Sequence, residues 1–558
     1  MSPNRWHVAE QLPDELPEIF NGFSPIIAHI LFNRGLTTRE ALKTYLTIDK
    51  DLTADPLLLP GMDQVVTRIL SAVASNELIG IYGDFDTDGV TATALLVQAF
   101  EELGVSTVPY IPHRVEEGHG LNIAAVNRLR DQGCTVIITA DCGINGIENG
   151  VLPKDVDLIV TDHHLPSDEI PLYFAAINAH LPSSEYPFPE LTGVGIAFKL
   201  VEAIFAELGR DLQPEYLELV ALGTIADVGS LTGENRYLVH HGLDVLRRTE
   251  RAGLRALADV ARVSLENVDA EGIGFSLSPR LNAAGRMQHA MTSFRLLTTD
   301  SDQEARKLAL ELENMNLQRR NLTNSLLEKA YGQINDLDPL PSLLMVGGPE
   351  FLPGICGLVA GRIAEELYIP AISYRLDGEF TTGSARSIPE FNITAALDEC
   401  ADLLVQYGGH HQAAGFKVET GKLPLLRERL EEIASKQLTS LSLEPTIDID
   451  KEVSLVDLST DLMEYLVQLE PCGEGNRQPV FLSMNVKVVD RHRMGDGSHV
   501  RLQLNEGGVT REAVAFRQGH RWDEMTEFLD VVYRLRENRW RGKSTLQMNI
   551  IDFRETSL

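Results

Sequence analysis

Short apolar runs separated by polar or glycine turns mark the chain between about residues 78 and 240, where ELIGIYG, VSTVPYIP, TVIITA, VDLIVT and FAAIN alternate with helical stretches such as TATALLVQAFEEL. That alternation predicts a mostly parallel α/β sheet. Helical segments follow over 236–334, ending in SDQEARKLALELENMNLQRRNLTNSLLEKAYGQI, whose leucines and alanines recur at three- and four-residue spacing. This last stretch is expected to be a helix connecting two domains. A second, smaller α/β segment comes next, with strand candidates SLLMVGG, PAISYRL and GSARSI and the glycine cluster GGHHQAAGF. After TIDID the period changes to two in VFLSMNVKVVDRHRM, HVRLQLN, REAVAFR, DVVYRLRENRW and TLQMNIIDF, which predicts a small β-barrel with arginines crowding its strands. The expected division is an N-terminal extension over 1–55, a catalytic α/β domain over 56–235, a helical connector over 236–335, a smaller α/β domain over 336–440 and a barrel over 441–558. Residues 1–55 carry no motif, and no internal repeat is present.

Composition narrows the class. A chain of 558 residues exceeds what one hydrophobic core can serve, so about two to four domains are expected. With 44% hydrophobic and 23% charged residues it reads as globular, and no apolar run approaches the roughly 20 residues that cross a bilayer. The start, MSPNRWHVAEQLPDELPEIF, has acids and prolines where a secretory leader needs a basic end and an apolar stretch, so a cytoplasmic, membrane-free protein is expected. The five cysteines, Cys134, Cys142, Cys356, Cys400 and Cys472, are scattered and form no CxxC pair, which argues against a disulfide framework or a zinc ribbon. A net charge of -32 opposes non-specific nucleic-acid binding, so any DNA-binding surface must be local, or a site must hold cations that reverse its sign.

The chemistry begins at GDFDTDGV. Asp84, Asp86 and Asp88 follow the strand LIGIY and precede a helix expected to open near Thr91. Crowded carboxylates repel one another unless they bind a cation. An EF-hand also begins DxDxDG, but its twelfth position must be Glu and here is Leu95, and its flank is a helix rather than a strand. Asp141 follows TVIITA, Asp162, His163 and His164 follow VDLIV, and Asp227 closes the apolar stretch ELVALGTIA, read as a further strand end. Singly, Asp141 reads as a helix cap, the histidines as core residues and Asp227 as a turn former. Jointly they sit where an open parallel sheet gathers ligands, at the carboxyl ends of its strands. Many carboxylates, one or two imidazoles and no thiolate suit manganese or magnesium better than zinc, and their number points to two cations. Two such ions are suited to in-line displacement at phosphorus, so phosphoester hydrolysis is the expected reaction.

In this order the strings resemble the DHH phosphoesterase superfamily, named for the triplet Asp162, His163 and His164, and within it the RecJ family. The resemblance rests on GDFDTDGVTATALL, PHRVEEGHGLN, ADCGI, VTDHH, LTGVGIAFKL, LGTIADV, SPRLNAAGRM, GSARSI, GGHHQAAGF and CGEGNRQPVF, spanning about residues 80 to 480. It implies a parallel-sheet DHH domain, a long connecting helix, a smaller α/β DHH-associated domain and a C-terminal OB-type barrel. It implies that Asp84 and Asp86 hold one cation, that Asp88, His163 and Asp227 hold the other, and that Asp141 bridges, with Mn2+ preferred or Mg2+. His164 would contact the scissile phosphate, and Arg280, or alternatively Arg286, would serve the transition state. Arg114, Ser384 and Arg386, with Gly408, Gly409 and His410, would bind the DNA 5′ end. On the barrel, Arg501, Phe516, Arg517, Arg534, Trp540, Arg541 and Lys543 supply cations and stacking rings.

The implied activity is that of a 5′ to 3′ exonuclease on single-stranded DNA that releases 5′-mononucleotides in repair and recombination. It would act as a monomer, with single-strand-binding protein and a helicase as partners. The alternatives are a phosphodiesterase for short oligonucleotides or cyclic dinucleotides, a pyrophosphatase relative, and an inactive scaffold that binds DNA ends or a helicase. Three departures from the family pattern stand out. Phe351, Leu352, Pro353 and Gly354 replace a tryptophan, histidine, proline, glycine string, AHLPSSEYPF lacks the usual asparagine and proline, and Phe85 replaces a common tyrosine.

Overall fold

Alternate side chains along each early apolar run enter opposite cores, and this makes those runs strands. In β1 (Leu78–Gly83), Ile79 and Ile81 face one cluster and Tyr82 the other. In β3 (Cys134–Ala140), Val136 and Ile138 face the first and Ile137 the second. With β2 (Thr107–Tyr110), β4 (Asp157–Thr161) and β5 (Ala175–Ile177) they form an all-parallel sheet of order β2-β1-β3-β4-β5, covered on both faces. The order reverses between β1 and β3, and that switch point is where an open α/β sheet forms its crevice.

The computed structural model describes residues 4–10, 18–118, 120–148, 151–167, 171, 173–540 and 543–556. Thr53–Leu443 make one compact unit, and the described residues of 2–52 together with Glu444–Leu558 make another. Among the described residues no single helix is long and apolar enough to cross a membrane.

Within the first unit, helix α1 (Thr87–Glu102) follows β1 and begins one turn earlier than the apolar pattern suggests. Asp86 is the reason, because its side chain accepts from Gly89 N at 3.1 Å and caps the helix. ELVALGTIA is not a strand. It lies in helix α3 (Tyr216–Ala226), packed beside α2 (Gly193–Glu207), and Asp227 caps its C-terminal end. A short run buried on nearly every side has no period that separates strand from helix. Further helices lead to α4 (Ser278–Met287) and to the 34-residue α5 (Asp302–Asn335), capped by Ser301 accepting from Glu304 N. Its first half packs into the core of the parallel-sheet domain and its second half into a separate core.

That second core belongs to a five-stranded mixed sheet of order β9-β10-β8-β7-β6, formed by β6 (Leu344–Gly348), β7 (Ala371–Asp377), β8 (Phe380–Arg386), β9 (Leu404–His410) and β10 (Ala413–Glu419). Only β6 and β7 pair in parallel, with α6 (Pro353–Leu367) between them.

In the second unit, β11 (Phe481–Met494), β12 (His499–Glu506), β13 (Val509–Ala515), β14 (Phe528–Trp540) and β15 (Lys543–Glu555) close into a barrel through the β11–β14 pairing. The amino-terminal segment, expected to be a motif-free extension, is part of this barrel's core. Phe20, Ile27, Ile30, Leu31 and Leu42 are buried with Phe481, Leu502 and Tyr533, and Arg5–Val8 pairs in parallel with Thr446–Ile449. The Arg34 guanidinium donates to Asn476 Oδ1 at 2.5 Å and to the Arg477 carbonyl at 2.6 Å, joining the segment to the loop that enters β11.

Candidate metal centre

Strand β1 ends at Gly83 and delivers Asp84, whose amide donates to the Ala140 carbonyl at 3.2 Å, so Asp84 and Asp141 emerge side by side from neighbouring strands at the switch point. Asp141 adopts φ 66°, the left-handed region that aspartate enters more readily than most residues other than glycine, and its amide donates to the Thr161 carbonyl at 3.0 Å. Gly193 makes room for it, since a Cβ there would stand 2.4 Å from Asp141 Oδ1. Asp88, in the first turn of α1, accepts from Gly193 N at 2.7 Å and Val194 N at 2.9 Å, so the start of α2 holds its carboxylate in place.

Ligand atoms converge in three overlapping groups, Asp84–Asp86–Asp141, Asp88–His163–Asp227 and Asp141–His163–His164, each with its atoms within 4.8 Å of one another. All six side chains expected to hold cations therefore meet. His163 Nε2 stands 3.1 Å from Asp141 Oδ1 and 3.6 Å from Asp227 Oδ2. Asp227 reaches the group from the end of a helix, not from a strand.

The electrostatics are those of a cation site. Burial, then the neighbouring Asp86 charge, pushes Asp84 and Asp227 up to about 7. Burial, then nearby carboxylates, also holds Asp88 and Asp141 well above their usual range. Burial lowers His163 to about 4, which leaves a neutral imidazole suited to coordination. Among the described residues no hydrogen bond is donated to the buried oxygens Asp84 Oδ1 and Asp141 Oδ1, a costly state that a divalent ion would relieve. An oxygen-rich set with one or two imidazoles fits manganese or magnesium.

Asp162 organises the histidines. One oxygen accepts from His163 N at 2.8 Å and His164 N at 3.1 Å and meets His164 Nδ1 at 2.7 Å, while the other accepts from Ile144 N at 2.9 Å. Burial alone would raise Asp162, but the His164 hydrogen bond and charge outweigh it and hold it low. Burial likewise opposes protonation of His164, yet the Asp162 bond and the surrounding carboxylates lift it to about 9, which favours the protonated ring. Sequence reasoning left Asp162 without a role, although its place one residue past β4 was the available signal.

The arginines divide into two kinds. Arg280 forms an ion pair with Glu313 on α5 at 2.5 Å and donates to the Ser276 carbonyl at 2.6 Å. Among the described residues Arg286, the second choice from sequence, makes no such pair. Burial, then the charges of Arg114, Arg319 and Arg386, lowers it to about 9, while Asp86 of the cation site attracts it. Arg114 lies over the Phe85 ring at 4.7 Å and feels Asp84 and Asp86. Arg386 and Ser384 share β8, with Arg386 Nη1 3.4 Å from Ser384 Oγ. Gly408, Gly409 and His410 end β9 at a tight turn into β10, where His410 is exposed and Gly409, at φ 155°, lies against the Ala413 carbonyl. Leu352 caps α6 with its side chain partly exposed.

On the barrel, cross-strand register places His492, Arg501, Val514, Asn549 and Arg534 in one row on the outer face, opposite to the core-facing Leu502, Ala513, Met548 and Leu535. Phe516 is 49% exposed and therefore not a core residue. Arg517 is also exposed. Arg541 and the side chains of Trp540 and Lys543 lie outside the described residues.

Known proteins share this arrangement. Residues 78–224 match the DHH family N-terminal domain, 342–436 the DHHA1 domain and 449–552 the RecJ OB domain. The single-stranded-DNA-specific exonuclease RecJ of Bacillus subtilis is 33% identical over 99% of this chain and 71% of its own length. That of Escherichia coli is 32% identical over 97% and 96%. Crystal structures of Thermus thermophilus RecJ with Mn2+ and with Mg2+ superpose with TM-scores of 0.84 and 0.80 at 30% and 29% identity, covering 99% of this chain and 80% and 79% of theirs. With the carboxylate cluster at the switch point of one domain, a DHHA1 sheet beyond a long helix and an OB barrel closed on itself, the chain belongs to the RecJ family of exonucleases.

Proposed function

We propose that this protein removes nucleotides one at a time from the 5′ end of single-stranded DNA by hydrolysing the terminal internucleotide phosphodiester. The observation that carries this reading is the convergence of Asp84, Asp86, Asp88, Asp141, His163 and Asp227 in overlapping groups linked through Asp141 and His163. Two divalent cations held by Asp84, Asp86, Asp88, Asp141, His163 and Asp227 would supply a nucleophilic water near neutral pH and neutralise charge on the phosphate oxygens. His163 stays neutral and holds its ring against Asp141 and Asp227. His164, charged and fixed by Asp162 at Nδ1, donates a hydrogen bond from its other ring nitrogen to a non-bridging oxygen of the scissile phosphate. Arg286 is better placed than Arg280 to meet charge developing in the transition state, because Glu313 neutralises Arg280. Arg114, Ser384 and Arg386 then take the 5′-terminal phosphate, and bond cleavage expels the 3′-hydroxyl of the released mononucleotide.

The barrel supports the single-strand assignment. Residues 481–555 carry a formal charge of +2 in a chain of -32, and the row containing Arg501 and Arg534 follows the outer face. The setting is DNA repair and recombination, with a cytoplasmic monomer working beside single-strand-binding protein and a helicase.

The test offers purified protein with Mn2+ or Mg2+ 5′-labelled single strands, duplexes, a dinucleotide and pyrophosphate, with Asp141→Ala as control. Labelled mononucleotide from single strands alone supports the reading. Preference for the dinucleotide replaces it with a short-oligonucleotide phosphodiesterase, and no metal-dependent turnover replaces it with a DNA-end scaffold.

A further inference from the structure

Helix α5 passes from one core to another. Leu308, Leu312 and Met315 are buried with the parallel-sheet domain, and Leu326, Ala330 and Ile334 with the core beside β6 and α6. The turns between these sets, 316–323, span the junction, and there the buried side chains, Asn316 and Thr323, are polar. Asn316 is 2% exposed, and its Oδ1 accepts from Arg319 Nε at 3.2 Å and Nη2 at 2.9 Å. These bonds fix the plane of the guanidinium but neutralise none of its charge.

Two other elements reach the same junction. Glu313 lies one helical step before Asn316 on α5 and pairs with Arg280, so the side of the helix that carries Asn316 is turned toward α4. At the end of α4, Arg286 Nη1 donates to the Gly354 carbonyl in the first turn of α6 at 3.2 Å, and Met287 packs against both cores. The end of α4, the middle of α5 and the start of α6 therefore line one cleft.

The charges in this cleft are unbalanced. Among the described residues no carboxylate forms an ion pair with Arg114, Arg286, Arg319 or Arg386, whereas the neighbouring Arg280 has its own partner. With 81 acidic side chains against 49 basic ones, a cluster of half-buried cations without ion-pair partners is not what chance placement produces. Burial lowers Arg286 and Arg319 alike, followed by repulsion from Arg114, Arg319 and Arg386 at Arg286 and from Arg320 and Arg280 at Arg319. A bound polyanion removes that cost.

We propose that Arg319, held by Asn316, is a further DNA-binding residue that takes a backbone phosphate of the strand next to the phosphate gripped by Arg286. The assignment rests on the reading of the substrate as single-stranded DNA. It makes the connecting helix part of the track along which the strand reaches the cation site, and Arg319 serves binding rather than the chemical step.

The test compares wild type, Arg319→Ala and Arg319→Lys with Arg362→Ala, an exposed arginine on α6 that has its own partner in Glu366 at 3.8 Å. Steady-state degradation of a 5′-phosphorylated single strand is followed with Mn2+ at rising salt. For Arg319→Ala, KM rises about tenfold, as for loss of one charged hydrogen bond. The plot of log(kcat/KM) against log salt becomes shallower by about 0.7, the contribution of one phosphate contact on a single strand. Arg319→Lys restores the slope but only part of the affinity, because it keeps the charge without the planar fork. Arg362→Ala changes neither. An unchanged slope in Arg319→Ala, or a loss confined to kcat, overturns the assignment while the exonuclease reading stands. A wild type that degrades no single strand overturns both.

Discussion

A single methyl group at Gly193 tests whether the centre depends on backbone packing as well as on its ligands. A Cβ there falls 2.4 Å from both Cβ and Oδ1 of Asp141, against an ordinary contact of 3.4 Å or more, so something must move by about 1 Å. Asp141 resists, since its amide is bonded to Thr161 and its φ of 66° leaves little freedom. The start of α2 resists as well, because the amides of Gly193 and Val194 hold Asp88 at 2.7 and 2.9 Å. Either displacement spoils a ligand in the cluster. For Gly193→Ala the expected loss is about 10- to 100-fold in Mn2+ affinity and about 100-fold in kcat, with about 1–3 kcal/mol of stability lost to overpacking. Gly195→Ala is the control. It lies on the same helix, but its nearest neighbour is the movable Leu191 Cδ2 at 3.3 Å, so activity should stay within about twofold. Calorimetric Mn2+ titration, turnover of a labelled single strand and thermal melting measure the three quantities. Wild-type Mn2+ affinity and turnover in Gly193→Ala would refute the argument that these two elements are locked together.

Other expectations follow from the same geometry. Asp84 and Asp227 have folded-state values of about 7, above those of an unfolded chain, so without metal the folded state holds more protons and loses stability as pH rises from about 4 to 7. Cations compete with those protons, so the gain in melting temperature from Mn2+ over chelator should be larger at pH 8 than at pH 5.5, and an equal gain would count against the cluster as the site. Asp162→Asn removes the charge that raises His164, so the alkaline limb of the kcat profile should move to lower pH, whereas a uniform fall at every pH would deny Asp162 this role. Leu31→Ala, from the amino-terminal segment, should destabilise the unit containing the barrel by about 2–5 kcal/mol, read from denaturant unfolding, because Leu31 is fully buried there. A neutral result would remove that segment from the barrel core.

Local pattern carried a large part of this molecule. Strand runs such as TVIITA declare themselves because a parallel strand buried on both faces is almost continuously apolar, and the barrel strings because burial on one face repeats every second residue. The acids just past β1 and β3 and the histidines past β4 were legible for the same reason, since a strand end in a parallel sheet has one destination. Where several conformations bury the same residues, pattern has no preference, and so ELVALGTIA was taken for a strand although it is α3.

What only the tertiary structure decided depends on partners distant in sequence. Whether Arg280 or Arg286 carries a free charge is set by Glu313, and whether residues 18–42 matter is set by a barrel more than 400 positions away. The role of Asp162 required four donors at 2.7–3.1 Å, and the need for glycine at 193 required Asp141 to arrive from another element. Composition and periodicity record how each segment meets water and core. Ion pairing, desolvation and steric exclusion act between segments and are decided when the chain has closed on itself.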